Sequence, residues 1–164
     1  MLNHLSSNAN GTFLWVALVY QGLEKIPKVA ILARLNDFPP GLNALYEQMM
    51  KQIRNSDYTD ICNQILASIA IVYRPVTLTE LTSLIDVFQD MSDDAESIRE
   101  IIGFCGSFLT VRKDIIYFVH QSAKDYLLIN YPYRVEAIHY AIFSRSLQAM
   151  SQTCLLYTSP SPRD

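Results

Sequence analysis

The chain has 164 residues, 50% hydrophobic and 18% charged, with only 5 Gly and 7 Pro. That excludes a disordered, collagen-like or linker-type chain and suffices for one compact domain or two small ones. Lys+Arg 13 against Asp+Glu 16 leaves a net charge of −3, which argues against a general nucleic-acid binder or a polybasic membrane anchor.

The first apolar run, Phe13–Tyr20, is far shorter than the roughly 20 residues needed to span a bilayer. No basic stretch precedes it and no small-x-small cleavage site follows it, so neither a membrane span nor a signal peptide is expected. Thr12 to Lys25 is apolar almost all round, the pattern of a helix buried inside a larger protein. A short helix is predicted over Lys28 to Leu35, stopped by Asn36-Asp37-Phe38-Pro39-Pro40. Leu42, Leu45, Tyr46, Met49, Met50 and Ile53 then recur at the spacing of one helix face. Ile61, Ile65, Leu66, Ile69 and Val72 do the same over Asp57 to Val72, and Arg74-Pro75 closes that helix.

The middle of the chain is punctuated differently. Thr77-Leu78-Thr79-Glu80 is a capping box, with Val76 and Leu81 placed as its hydrophobic staple. It predicts a helix burying Leu81, Leu84, Ile85 and Phe88. Asp93-Asp94-Ala95-Glu96 opens the next, with Ile98, Ile101, Ile102 and Cys105 on its inner face and Gly106 as its stop. Ser107 to Val111 and Ile115 to His120, joined by Arg112-Lys113-Asp114, predict a β-hairpin. Ser122-Ala123-Lys124-Asp125 then signals a helix start, Pro132 a break, and a last helix is expected from about Tyr133 to Met150 on Val135, Ile138, Ile142 and Phe143.

Three helices followed by a hairpin is the order of a winged helix. The expected fold is therefore mainly α: a helical bundle, residues 9–54, then a winged-helix domain with its β-hairpin, residues 57–130. Residues 131–153 would start a further helical region. Residues 154–164, ending in Ser-Pro-Ser-Pro-Arg-Asp, have no structural period and match the translation of a sequencing-library adapter. They are expected to be disordered.

No catalytic signature is present. GxxxxGK[ST], HExxH and GxSxG are all absent from the sequence. His4, His120 and His139 share no metal-ligand spacing, so no metal site is expected. Cys62, Cys105 and Cys154 form no CxxC pair, which fits a reducing, cytoplasmic setting. Cys105 and His120 flank the hairpin as a nucleophile–base pair would, but a thiol on an apolar face is ordinarily inert packing. For DNA binding, the segment before the wing should be basic. Met91 to Ile102 instead carries Asp93, Asp94, Glu96 and Glu100 against Arg99, and the tip adds only Arg112 and Lys113. Trp15 with Phe13, Val16, Val19 and Tyr20 lacks the interleaved cations of a base-stacking platform.

Five segments together carry a resemblance: Ala9-Asn-Gly-Thr-Phe-Leu-Trp-Val-Ala-Leu-Val19, Pro40-Gly-Leu-Asn-Ala-Leu-Tyr-Glu-Gln-Met49, Tyr73-Arg-Pro-Val-Thr-Leu-Thr-Glu-Leu81, Cys105-Gly-Ser-Phe-Leu109 and Phe118-Val-His-Gln-Ser-Ala-Lys-Asp-Tyr-Leu127. From Ala9 to about Met150 the chain resembles fungal NACHT-domain NTPases, NOD-like receptors of the STAND class. Their winged helix is also catalogued as the GPI inositol-deacylase winged-helix domain. The resemblance implies an internal, non-catalytic fragment with no cofactor of its own, lying after a nucleotide-binding domain that holds ADP or ATP with Mg and before a repeat region. Its expected partners are those two regions of the same polypeptide, with homo-oligomerisation on activation and neither nucleic acid nor membrane. It also implies a role for His120: in relatives, the histidine of a Phe-x-His motif after the wing reaches the β-phosphate of bound ADP. One departure stands out. Where many relatives have a proline that packs on adenine, this chain has Gly11-Thr12.

Overall fold

The computed structural model describes residues 12–24, 26–85, 87–88 and 94–131, together with residues 139, 140, 142–145, 147, 150 and 151. The expectations for residues 154–164, and for Val135 and Ile138, lie outside the described residues.

Helix α1, Phe13–Glu24, does not bury its whole circumference. Trp15, Leu18, Val19 and Leu23 face inward, whereas Phe13 is 85% and Tyr20 68% exposed. The apolar surround thus resolves into one packed face and one open face. Trp15 is anchored by its indole, whose Nε1–H donates to the Pro39 carbonyl at 2.9 Å. A 3₁₀ turn, Lys28–Ala30, and a short α2, Ile31–Leu35, lead to that Pro39 segment.

Helix α3, Leu42–Arg54, buries Leu45, Tyr46, Met50 and Ile53 along the predicted stripe. Helix α4, Thr59–Ile71, follows at once. Thr59 Oγ1–H donates to the carbonyls of Ser56 at 2.6 Å and Ile53 at 2.9 Å, so the α3–α4 corner is closed by one hydroxyl. Cys62, Ile65, Leu66 and Ile69 form the inner face of α4.

After Pro75 come strand β1, Val76–Thr77, and helix α5, Leu78–Leu84. The capping box is complete. Glu80 N–H donates to Thr77 Oγ1 at 3.1 Å, and Thr77 N–H donates to Glu80 Oε2 at 2.9 Å. The helix is shorter than predicted: Ile85 is already extended (φ −129°, ψ 120°), and Phe88 reaches the core from beyond it. Helix α6, Ala95–Gly103, is capped by Asp94, whose side chain accepts the Ser97 N–H at 3.0 Å. Cys105 lies past its end and is fully buried. Gly106 does punctuate the chain here, with φ +65°, a conformation that favours glycine.

Strands β2, Leu109–Arg112, and β3, Ile115–Phe118, form the expected hairpin. Lys113 (φ 49°) and Asp114 (φ 64°) make its turn, with both central residues left-handed as a type I′ connection requires. A pure hairpin is not the whole sheet, however. Val76–Thr77, read from sequence as a staple and cap, also pairs antiparallel with β3, giving three strands in the order β1-β3-β2. Ile116, central in that order and fully buried, turns the sheet toward the helices.

Helix α7, Gln121–Asn130, returns across α3 and α4. The Tyr46 ring lies 5.7 Å from Phe108 and 5.3 Å from Tyr126, and one continuous core runs from Trp15 to Leu127. The later helical residues include Phe143, expected on an inner face but 61% exposed.

Candidate functional site

The wing delivers His120 to the start of α7. Val119 N–H donates to the Phe108 carbonyl at 2.9 Å, holding the chain that leaves β3 against the base of β2. His120 is extended (φ −161°, ψ 154°) and is itself the N-cap of α7. Its Nδ1 accepts the Ser122 backbone N–H at 3.1 Å and lies 2.9 Å from Ser122 Oγ. The sequence pointed to Ser122 as the helix start. The cap falls on His120 instead, because an imidazole nitrogen can accept an N–H as a hydroxyl oxygen does.

That hydrogen bond assigns the ring's chemistry. With Nδ1 accepting, the ring proton of the neutral imidazole sits on Nε2, so the other edge is a donor. His120 is exposed, and that donor edge is what it offers to the outside. Behind it, Ser122 Oγ is 2.9 Å from the Tyr46 hydroxyl. Burial pushes the Tyr46 hydroxyl above its ordinary 10, against a smaller opposing effect of the Ser122 bond. The phenol therefore stays protonated, and the series Tyr46, Ser122, His120 sets the ring from the core outward. Tyr46 was legible in sequence only as one member of an apolar stripe. The sole hint was a phenol at a position where Leu or Phe would pack as well.

Neighbouring polar groups are largely engaged. Gln121 Nε2–H donates to Asp125 Oδ1 at 2.8 Å, and Lys124 Nζ donates to the Val72 carbonyl at 3.0 Å. Arg74 pairs with Glu80. A cavity of about 220 Å³ beside the N-terminus of α7 is lined in part by Arg74, Tyr117, Gln121 and Lys124. On the opposite side of α7, Tyr126 donates to Glu47, which also pairs with Arg54. The Tyr126 bond is the main reason that Glu47 titrates below the usual carboxylate range.

Cys105 and His120 are not brought together as a dyad. Cys105 Sγ–H points to the Cys62 carbonyl at 4.0 Å, whereas His120 bonds to Ser122. No His/Cys/Asp/Glu cluster able to hold a metal occurs among the described residues. Arg99, the one cation of α6, is paired with Asp114 at the hairpin tip. Among the described residues no helix is long and apolar enough to cross a membrane.

The family profile described as "GPI inositol-deacylase, winged helix domain" matches residues 46–142. The vegetative incompatibility protein HET-E-1 of Podospora anserina is 48% identical over 169 aligned residues, which cover 92% of this chain and 12% of that protein. The chain thus spans about one eighth of the curated relative's length. No solved structure matches it significantly. With a core that packs three helices against a wing, and with both matches agreeing with the resemblance to fungal NACHT-domain proteins, the chain belongs to the GPI inositol-deacylase winged-helix-domain family.

Proposed function

We propose that this chain is a regulatory, non-catalytic segment of a cytoplasmic NACHT-type nucleotide switch, in which the winged helix closes over ADP held by a domain outside it. The observation that carries the reading is the orientation of His120. Its Nδ1 is consumed in capping α7, so Nε2–H faces outward as a donor, beside the positive end of a helix where an anionic phosphate is favoured. The residues here fit one phosphate contact. The phosphate-cradling amides and the Mg ligands for ADP or ATP would come from the nucleotide-binding domain, because GxxxxGK[ST] is absent from this sequence. His120 thus makes the closed arrangement depend on which nucleotide is bound. Homo-oligomerisation would follow opening, and the 48% identity to a vegetative incompatibility protein supports a role in fungal self/non-self signalling.

A donor to a phosphate oxygen is worth about 1.5–3 kcal/mol, so its loss shifts closed to open by roughly tenfold to a hundredfold. The test compares His120→Ala and His120→Asn in the full-length protein. Asparagine keeps an oxygen for the Ser122 N–H but is too short to reach a phosphate. Both variants should release ADP faster and signal without ligand, with His120→Asn retaining thermal stability. Unchanged ADP release in both variants would show that His120 is only a helix cap.

The exposed Phe13 and Tyr20 on α1 favour a second reading, a protein-interaction module. A GxxxxGK[ST] motif encoded upstream in the same reading frame decides for the switch, and an upstream stop codon for the module.

A further inference from the structure

We propose that a cavity between α3, α4 and α7 binds the acetylamide group of an acetylated lysine side chain, with Asn63 as its hydrogen-bond donor. Asn63 is an orphan in the core: it is 7% exposed, and its Nδ2 has no hydrogen-bond partner. Thr82, also buried, donates its hydroxyl to the Thr79 carbonyl at 2.7 Å. A buried N–H without an acceptor lowers stability, and native chains keep few of them. Asn63 lies on the inward face of α4, where Cys62, Ile65 and Leu66 are its buried neighbours. An apolar side chain would sit there without that cost, so the amide serves something other than packing.

The cavity that Asn63 lines measures about 20 Å³, above the roughly 10–15 Å³ that one water-sized group needs. Of its other lining residues, Met50, Leu66 and Leu127 are buried, whereas Ala67, Leu128 and Tyr131 are half-buried and lead to the surface. The last side-chain torsion of asparagine is soft, so the amide can present an N–H to this space. The Tyr131 hydroxyl is engaged with Glu47, which leaves Asn63 as the polar group of the wall.

These features select the guest. A buried water makes about three hydrogen bonds, and here one side chain is placed to make one. The acceptor must therefore arrive on an apolar body. No charged side chain lines the cavity, so the guest is neutral. A carbonyl oxygen for Asn63 beside a methyl for Leu66 and Leu127 meets these conditions within the space of one small group. That pair is an acetyl group. Acetylation removes the charge of lysine and leaves a four-carbon apolar stem, which suits a mouth of Ala67, Leu128 and Tyr131. An acetylated sugar would set hydroxyls against the same apolar rim. The inference stands apart from the nucleotide reading, because His120 bonds to Ser122, which is not part of this cavity.

The test titrates the full chain with N-butylacetamide, an acetylamide on the four-carbon lysine stem, and follows methyl resonances by NMR. The Ala67, Ala70 and Leu128 methyl signals should shift together and saturate. Butylammonium at the same concentrations should leave them in place. Asn63→Leu should weaken N-butylacetamide binding about tenfold or more, the factor for one lost hydrogen bond. It should also melt about 2–4 °C higher, because the orphan donor is gone. Should Asn63→Leu fail to fold, the ranking of the probes by the parent chain decides. Absence of a saturable shift, or equal responses to N-butylacetamide and butylammonium, overturns the proposal. So does a lower melting temperature in Asn63→Leu with binding intact. Tighter binding of N-acetylglucosamine than of N-butylacetamide overturns lysine as the source.

Discussion

The Tyr46 hydroxyl and Ser122 Oγ, 76 positions apart, share a hydrogen bond of 2.9 Å that joins α3 to the first turn of α7. This contact couples the helical region to the wing at the point where His120 is oriented. Tyr46→Phe keeps the ring stacked on Phe108 and removes only the hydroxyl. It should lower the unfolding free energy by about 1 kcal/mol, the net worth of one hydrogen bond, as read from urea denaturation. A loss well above about 3 kcal/mol would mean that the ring, not the hydroxyl, is disturbed.

The cap on α7 makes a separate stability prediction for the isolated chain. His120→Ala leaves the Ser122 N–H without its acceptor and should cost about 0.5–2 kcal/mol, whereas His120→Asn should stay within a few tenths of the parent. Thermal unfolding followed by circular dichroism distinguishes them. Equal losses in the two variants would rule out capping as the role of Nδ1.

Glu80 gives the chain a defined acid response. Its hydrogen bond with Arg74 first, and the Thr77 N–H second, hold it at about 2, against an ordinary 4.5. A carboxylate whose value falls on folding stabilises above its unfolded value, and that stabilisation fades as pH drops from about 4.5 to about 2. The side chain is 39% exposed, so solvent screening weakens the Arg74 pairing. Glu80→Gln, whose amide oxygen still accepts the Thr77 N–H, should cost at most about 1 kcal/mol at neutral pH, through the charge lost from that bond and from the screened Arg74 pair. The gap between parent and variant should close toward pH 2, and a gap independent of pH would contradict this origin.

The hairpin tip carries local strain that can be relieved. Lys113 has φ 49°, a region that an ordinary side chain adopts at a cost and that asparagine tolerates. Lys113→Asn should stabilise the chain by about 0.5 kcal/mol, visible as a higher urea midpoint with an unchanged slope. Destabilisation would show that the lysine stem makes a contact that matters more than its backbone.

Trp15 is the chain's single tryptophan, fully buried and bonded to the Pro39 carbonyl. Its fluorescence should be blue-shifted in the native state and move red as α1 detaches. Trp15→Ala should cost about 3–5 kcal/mol. Native emission resembling free indole in water would refute the packing of α1.

Local order was readable wherever neighbouring residues decide it. The stripe from Leu45 to Ile53, the Thr77–Glu80 capping box and the two β-rich runs each depend on spacing within a few positions, and periodicity exposes such spacing directly. Resemblance further marked His120 as the residue to watch.

Long-range partners were not readable, because nothing in a linear pattern records which distant group a backbone or hydroxyl meets. Val76–Thr77 became a strand only because β3 had a free edge beside it. The early stop of α5 at Leu84, the move of the α7 cap to His120 and the exposure of Phe13 and Tyr20 were likewise settled by packing. The residues of the chain thus determined its helices, its turns and its family. Tertiary structure decided that Tyr46 steadies Ser122, that Ser122 meets Nδ1 of His120, and that Cys105 Sγ meets the Cys62 carbonyl. Hydrogen bonds between distant residues exist only once the apolar core has brought their elements together.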